Sequence, residues 1–248
     1  MVAYRPPMAY TREQLEACRG AEVPDLIGPD CHLLIVGINP GLQTAMTGLH
    51  FAHPSNRFWP AMRLAGLIDW VPDVSPLAPA VPQGPSGEEK QGSRGSSTAA
   101  TNTHFRHPRN PSYPVLRLGV LIDRQLETSA GMIDQQRADL QEKGIGITNL
   151  VNRATARADE LNTAELILGG QRLANWVAEV SPEVVAIAGV TAYRTAFSRP
   201  KALLGEQPEE LSGSRLWVIP NPSGLNAHVT TADMANWMSQ LSDAAGLR

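Results

Sequence analysis

Residues 33–42, LLIVGINPGL, constrain the fold of this chain more than any other stretch. They begin as an apolar run and end at an Asn-Pro-Gly turn, a pattern typical of a buried parallel strand. Asn39 precedes a proline, which favours extended backbone, so its side chain is expected at the carboxyl end of that strand. In open α/β sheets this edge binds ligands. Gly37 and Gly41 allow the backbone to come close to one.

Apolar runs alternate with amphipathic segments along the chain, which predicts an α/β fold with a parallel sheet covered on both faces. Apolar side chains at helical spacing near the C-terminus, together with Trp59, indicate core positions. We expect four strands, at 32–38, 145–150, 184–188 and 216–219. We expect helices at 12–19, 56–65, 133–143, 163–179, 190–197 and 231–242, and a polar loop at 198–214.

One segment differs in composition from the rest. Pro, Gly, Ser, Thr and Ala dominate from Pro72 to Thr103, which predicts a loop or disordered insertion. Residues 95–123 also repeat residues 41–69, with just over half of the positions identical, which indicates a partial tandem duplication. We therefore expect a single domain over residues 1–248, with the insertion and the repeat at about 72–121. The first copy follows Asn39 directly and is expected to be the native one.

Composition excludes several kinds of site. The two cysteines, Cys18 and Cys31, cannot supply a four-thiolate iron–sulfur or zinc site, and they fit a reducing cytoplasm. His50 and His53 recur in the repeat as His104 and His107 without acidic ligands beside them, so we expect no metal and no cofactor. No apolar run is long enough to span a membrane, and no signal segment is apparent.

The net charge of the chain does not show whether its ligand is a nucleic acid. Net charge is −3, from 21 Lys and Arg against 24 Asp and Glu, which counts mildly against a nucleic-acid ligand. Local basic patches matter more than the total, however. A nucleic-acid partner therefore stays open on composition alone.

Three motifs in order carry a resemblance to a known family: GINPG at 37–41, TGLHFAHPSNRFW at 47–59 and PNPSGL at 220–225. From about Pro24 onward, the chain resembles the mismatch-specific uracil-DNA glycosylases and thymine-DNA glycosylases. The resemblance implies a three-layer αβα sandwich around a short parallel four-stranded sheet of order 2-1-3-4. It also implies a monomeric, monofunctional enzyme of base-excision repair acting on double-stranded DNA.

The implied reaction starts with base flipping. The enzyme would turn a uracil, or a thymine or other 5-substituted or damaged pyrimidine, out of a mismatch with guanine and hydrolyse its N-glycosidic bond. By resemblance, Asn39 positions the attacking water and Phe51 stacks on the flipped base. The Ile38 backbone would bond the base edge. Gly41 and the small Thr44 would leave room for substituents at C5.

The third motif resembles an intercalation loop. Leu225 would fill the gap left by the flipped nucleotide. Ser223 belongs to this loop, and the backbones of Gly224 and Asn226 would contact the opposite guanine. The chain departs from some relatives here, since Ala227 stands where they have an arginine. Asn149 stands where one branch has a lysine, and both departures remove positive charge.

Two alternatives remain open from the sequence. An asparagine cannot accept a proton near neutral pH, so Asp69 or Asp123, each ending one copy of the repeat, is a candidate assisting carboxylate. The commoner role of such residues is that of solvated helix-end aspartates. The absence of a carboxylate at position 39 is also compatible with a non-catalytic nucleic-acid or nucleotide-binding module on the same fold.

Overall fold

The computed structural model describes residues 10–74 and 134–247. Within these ranges five strands form one sheet: β1 (Leu33–Gly37), β2 (Ile145–Asn149), β3 (Val184–Ala188), β4 (Gly205–Leu211) and β5 (Ser214–Ile219). Their order is β2-β1-β3-β5-β4. Strands β1, β2, β3 and β5 pair in parallel, and β4 pairs antiparallel to β5. All five residues of β1, β2 and β3 are buried, as their apolar sequences predict.

The predicted four-stranded sheet is wrong in strand number and in overall order. The additional strand, β4, lies in the segment 198–214 that was expected to be a polar loop. Its sequence GEQPEEL lacks the apolar residues that identify a buried strand, because it lies at the sheet edge and is half exposed. The four parallel strands alone follow the order inferred from the resemblance.

Helices cover both faces of the sheet. They are α1 (Arg12–Glu16), α2 (Leu42–Thr47), α3 (Phe58–Leu64), α4 (134–142), α5 (Thr163–Val180), α6 (Val190–Ala196) and α7 (Thr231–Ala244). Helix α2 was not expected, since only a turn was predicted after Gly41. Capping boxes at Thr11, Asn162 and Thr230 explain where α1, α5 and α7 begin.

The apolar residues form two cores, one on each face of the sheet. Helices α3 and α7 supply the first core, in which Phe58, Trp59 and Met234 are at most 2% exposed. Helices α5 and α6 supply the second, around Leu173 and Tyr193. The expectation that Trp59 and the apolar face of the last helix are core is confirmed. The first copy of the repeat thus packs as α3.

The two edges of the sheet end differently. Beside β2, Leu26 forms an antiparallel bridge with Ile147, and their backbones exchange hydrogen bonds of 2.9 and 2.7 Å. On the other side, the pairing of β4 with β5 is irregular between Glu206 and Glu210, and Pro208 lies within that stretch.

The second repeat copy falls outside the described residues. Asp123, His104 and His107 belong to it, so the structure gives no position for them. The boundaries expected for the insertion, at about 72–121, lie almost wholly in the same gap.

Candidate active site

The carboxyl ends of the parallel strands meet in one cleft. Ile38 and Asn39 follow β1, and the carbonyl of Ile38 accepts the Val151 N–H that follows β2, at 3.0 Å. A Cβ on Gly189, after β3, would lie 3.0 Å from the Ile38 side chain and 3.9 Å from Asn221, after β5. The first and third sequence motifs are therefore brought together at the edge where such sheets bind ligands.

The amide of Asn39 has a fixed orientation. Its Nδ2 donates to the Arg153 carbonyl at 3.0 Å, to Thr155 Oγ1 at 2.7 Å and to the Pro40 carbonyl at 3.2 Å. Because backbone carbonyls only accept, the nitrogen must face them, and a flipped amide would lose these bonds. Oδ1 then points the other way and has no hydrogen-bond partner among the described residues. It is an acceptor available to a water molecule.

Thr155 completes this arrangement, and the sequence did not single it out. It is 1% exposed, and its hydroxyl donates to the Arg157 carbonyl at 2.7 Å. A hydroxyl has one hydrogen, so toward Asn39 it can only accept. Its backbone N–H also donates to the Pro40 carbonyl at 3.1 Å. The only sequence signal was its place six residues after the end of the second strand.

Phe51 lies beside Asn39's strand in a strained conformation. Its φ of 57° lies in the left-handed region, which costs a non-glycine residue about 1–3 kcal/mol. Its neighbours hold it there: the Trp59 indole donates to the His50 carbonyl at 2.8 Å, and Ala52 N–H forms a long 3.4 Å bond to Thr44 Oγ1. The buried Thr44 thus helps to hold the loop that carries Phe51.

The ring of Phe51 is half-buried and stacks on Phe58, with ring centroids 4.1 Å apart. Phe58 is itself fully buried in the first core. One face of Phe51 is therefore held against the core, which makes the ring a rigid platform.

A small polar cradle lies between Phe51 and the end of β2. A Cβ on Gly37 would lie 2.6 Å from Asn149 Oδ1 and 3.4 Å from the Phe51 ring, so a glycine is needed there. Asn149 is 4% exposed, and its Nδ2 has no hydrogen-bond partner in the described parts of the chain. A buried amide nitrogen without a partner carries an energetic cost, and Asn149 is therefore a candidate site residue. In the sequence, Asn149 was notable only as the loss of a positive charge.

Gly41 borders the cleft with open space around it. It is exposed, and a Cβ there would meet no atom within 4 Å. Its φ of −74° is ordinary for any residue. A larger side chain at this position would therefore meet no clash at its Cβ and would not strain the backbone.

The loop after β5 projects one apolar tip. Leu225 is 84% exposed, and its N–H donates to Ser223 Oγ at 3.3 Å. Asn226 closes the loop by donating from Nδ2 to the Asn221 carbonyl at 3.1 Å. Gly224 packs so closely on Ser55 that a Cβ would collide with it. The second and third motifs are thus in contact, and we refer to residues 222–226 as the wedge loop.

Charged groups near the cleft are mostly paired. Arg153 bonds Glu165 at 2.8 Å, and this bond lowers the pKa of the Glu165 carboxyl. Arg157 pairs with Asp159 at 2.7 Å and lowers the pKa of that carboxyl in the same way. These pairs are largely exposed and cancel part of the positive charge that a polyanion would meet.

No carboxylate of the described ranges hydrogen-bonds Asn39. Asp69 is exposed beyond the end of α3, and the next residue, Trp70, is tied to Asp139 of α4 by a 2.8 Å bond. The structure does not bring Asp69 into contact with Asn39. His50 is buried, its Nε2 lies 3.0 Å from the Pro24 carbonyl, and burial lowers its pKa, so it is neutral at pH 7. Among residues 10–74 and 134–247, no group of three acidic, His or Cys side chains could hold a metal ion.

One comparison with known proteins is informative. Residues 24–242 match the model of the family described as the uracil DNA glycosylase superfamily. The matched range includes all three motifs and every strand of the sheet. In the same described residues, no helix is long and apolar enough to cross a membrane.

Proposed function

Because the chain belongs to the uracil DNA glycosylase superfamily, we propose that it is a mismatch-specific glycosylase. It acts as a single monomeric domain without a cofactor, in the cytoplasm, on double-stranded DNA. It excises uracil, and thymine or other 5-substituted or damaged pyrimidines, opposite guanine. The enzyme is monofunctional and initiates base-excision repair.

The orientation of Asn39 is the observation that carries this proposal. Its free Oδ1 is suited to hold a water molecule, which adds to C1′ of the flipped nucleotide as the C1′–N1 bond breaks. The base departs with the electron pair of that bond, and the proton lost by the water passes to solvent. Asn39 orients the water but accepts no proton. Fixed dipoles must then stabilise the positive sugar and the departing anion, so we expect slow turnover.

The platform and cradle support recognition of the flipped base. The free face of Phe51 offers a stacking surface, and Asn149 Nδ2 offers a donor for a base carbonyl. The Ile38 backbone borders the same space. Uracil and thymine both carry carbonyl acceptors, and the space at Gly41, with Thr44 nearby, accommodates a C5 substituent.

The wedge loop supports action on duplex DNA. An exposed leucine at the tip of a tied loop is suited to enter a base stack, as apolar wedges do. The backbone groups of Gly224 and Asn226, next to Leu225, contact the guanine that has lost its partner. Ser223 holds the tip through its hydroxyl.

The first test is release of uracil by wild type and Asn39→Ala. Wild type is expected to release free uracil from a U·G duplex in a single-turnover assay. Asn39→Ala is expected to release it at least ~100-fold more slowly, the scale of losing one preorganised polar group. Fold and DNA binding should persist, as circular dichroism and gel shift would show. The exposed Asn175→Ala is the matched control, and wild-type-like release by Asn39→Ala would contradict the assignment.

A non-catalytic DNA-binding module is the competing function. It is favoured because no carboxylate within residues 10–74 and 134–247 contacts Asn39. Binding of a U·G duplex without any release of uracil, at saturating protein and long incubation, would favour it. Substitution of Asp69 or Asp123 by asparagine tests the remaining possibility of an assisting carboxylate, because the rate of cleavage would fall without a change in DNA affinity.

A further inference from the structure

Arg57 connects the wedge loop to the base platform. Its backbone N–H donates to the Pro222 carbonyl at 2.9 Å, and its Nη1 donates to the Ser223 carbonyl at 2.8 Å. One residue thus holds two successive carbonyls of the loop that carries Leu225.

The same residue is adjacent to the platform. Phe58 follows Arg57 directly and stacks on Phe51 with centroids 4.1 Å apart. On the other side of Arg57, Ser55 packs on Gly224, and its hydroxyl lies 2.8 Å from His53 Nδ1. Residues 55–58 therefore contact both the surface under the flipped base and the loop that replaces the base in the stack.

In the described part of the chain, Arg57 forms no ion pair with a carboxylate. Five other arginines, at positions 19, 153, 157, 199 and 215, form ion pairs with carboxylates. Arg57 is half-buried, and no carboxylate in the described ranges lies within ion-pair distance of it. A hydrogen bond from a charged donor to a carbonyl is stronger than one from a neutral donor. The guanidinium of Arg57 is therefore suited to hold the wedge loop in a fixed position.

We propose that Arg57 is a positioning residue that locks the wedge loop to the base platform, so that entry of Leu225 into the duplex and capture of the flipped base occur as one coupled step. This inference rests on the proposed function for its reaction. It assigns Arg57 a role in preference for duplex DNA, apart from any contact with the reacting atoms.

The duplicated segment is consistent with this role. At the position equivalent to Arg57, the second copy has Pro111. A proline has neither a backbone N–H nor a guanidinium group, so it could form neither bond to the wedge loop. By sequence alone, only the first copy can act as the joint.

A double-mutant cycle tests the coupling. The variants are Arg57→Met, which removes donor and charge at similar size, Leu225→Ala, and both together. Arg57→Lys keeps a charged donor, and Arg63→Ala, the control, removes an exposed arginine from helix α3, which follows Arg57. Single-turnover uracil release is measured on a U·G duplex and on a single strand. The backbone bond to Pro222 survives in every variant, which keeps the loop attached.

Coupling predicts a specific set of results. Arg57→Met should slow release from the duplex about tenfold, the scale of one charged hydrogen bond, and from the single strand less than about threefold. The double variant should match Leu225→Ala on duplex, and Arg57→Lys should recover most of the rate. Additive losses, or equal losses on both substrates, would overturn the proposal. A uniform loss of affinity with a shallower salt dependence would also overturn it, because it would identify Arg57 as a phosphate contact.

A second measurement separates this inference from the proposed function. The duplex carries an uncleavable 2′-fluorinated deoxyuridine opposite guanine, with 2-aminopurine beside it as a fluorescent reporter of unstacking. If wild type releases no uracil from the ordinary U·G duplex but unstacks the reporter in the fluorinated one, and Arg57→Met does not unstack it, the proposed function fails and the coupling stands. If Arg57→Met unstacks the reporter as wild type does, the coupling fails. If wild type neither releases uracil from the ordinary duplex nor unstacks the reporter, both are overturned.

Discussion

The amide nitrogen of Asn39 faces the carbonyl oxygens of Pro40 and Arg153. A carboxylate in the same rotamer would bring an oxygen against them, where it could neither donate a hydrogen bond nor keep its charge at low cost. Thr155 adds a third acceptor. The surroundings of position 39 therefore favour an amide over a carboxylate.

At Asn149, ligand binding and stability make opposite demands. Asn149→Leu keeps the size of the side chain but removes a buried amide that lacks a partner, a group that costs about 1–3 kcal/mol. We expect the melting temperature to stay or rise while single-turnover uracil release falls at least about tenfold. Thermal unfolding and the release assay check this. A variant that melts earlier and releases uracil normally would show that Asn149 is purely structural.

At Gly41, the expected effect is on substrate range. Gly41→Tyr should fold normally, since its φ is ordinary and a Cβ there meets no atom within 4 Å. The ring should fill the space for a C5 substituent and raise the preference for uracil over thymine opposite guanine at least about tenfold. Rates on the two mismatches measure the preference, with Gly41→Ala as the control. An unchanged ratio, or a wild type inert on every 5-substituted base, would contradict the open-pocket hypothesis.

At the scale of elements, the wedge loop is the part proposed to distinguish duplex from single-stranded DNA. Leu225 is exposed in the free protein, so its removal should leave stability unchanged. Leu225→Ala should slow release from a U·G duplex about tenfold and have little effect on a single strand, which has no vacated stack to fill. Leu168→Ala, an exposed leucine on α5, is the control. Equal losses on both substrates would mean that Leu225 does not act as a wedge.

Elements with a repeated apolar pattern or a capping signal were predictable from the sequence, and those with neither were missed. The parallel strands and α7 carry apolar patterns that only burial explains. Helix α2 is six residues long and begins at Gly41 without a side-chain cap, so it has no start signal. Strand β4 is set by pairing with β5, which a polar sequence does not reveal.

For the candidate site, the sequence singled out residues that lie in local motifs. It did not predict the partners of Asn39 or the orphaned amide of Asn149. The Asn39–Thr155 bond joins residues 116 positions apart, and only the parallel pairing of β1 with β2 brings them together. The cradle likewise depends on Gly37, because a side chain there would collide with Asn149 and crowd Phe51. That requirement is visible only when the fold places these two residues beside Gly37.

At the scale of the whole molecule, His50 makes stability depend on pH. Burial lowers its pKa below the usual 6.5, although the nearby Asp25 opposes the shift. As the pH falls, the unfolded chain therefore takes up a proton on His50 before the folded chain does. The free energy of unfolding that is present above pH 6.5 is lost as the pH falls toward the pKa of His50 in the folded protein. Denaturant melts from pH 7.5 to 5 should show less of this loss in His50→Gln than in wild type. The exposed His228→Gln should retain it, and parallel curves for all three proteins would contradict the assignment.

Both borders of the sheet have a consequence for behaviour in solution. Unpaired strand edges are the usual templates for intermolecular sheet growth. Here Leu26 occupies the border at β2, while Pro208, an irregular register and the exposed Glu206 and Glu210 make β4 a poor template. Copies of the protein should thus add strands to one another less readily than they would through open strand edges. This resistance to aggregation lies in the sheet borders, apart from the residues proposed to recognise the base.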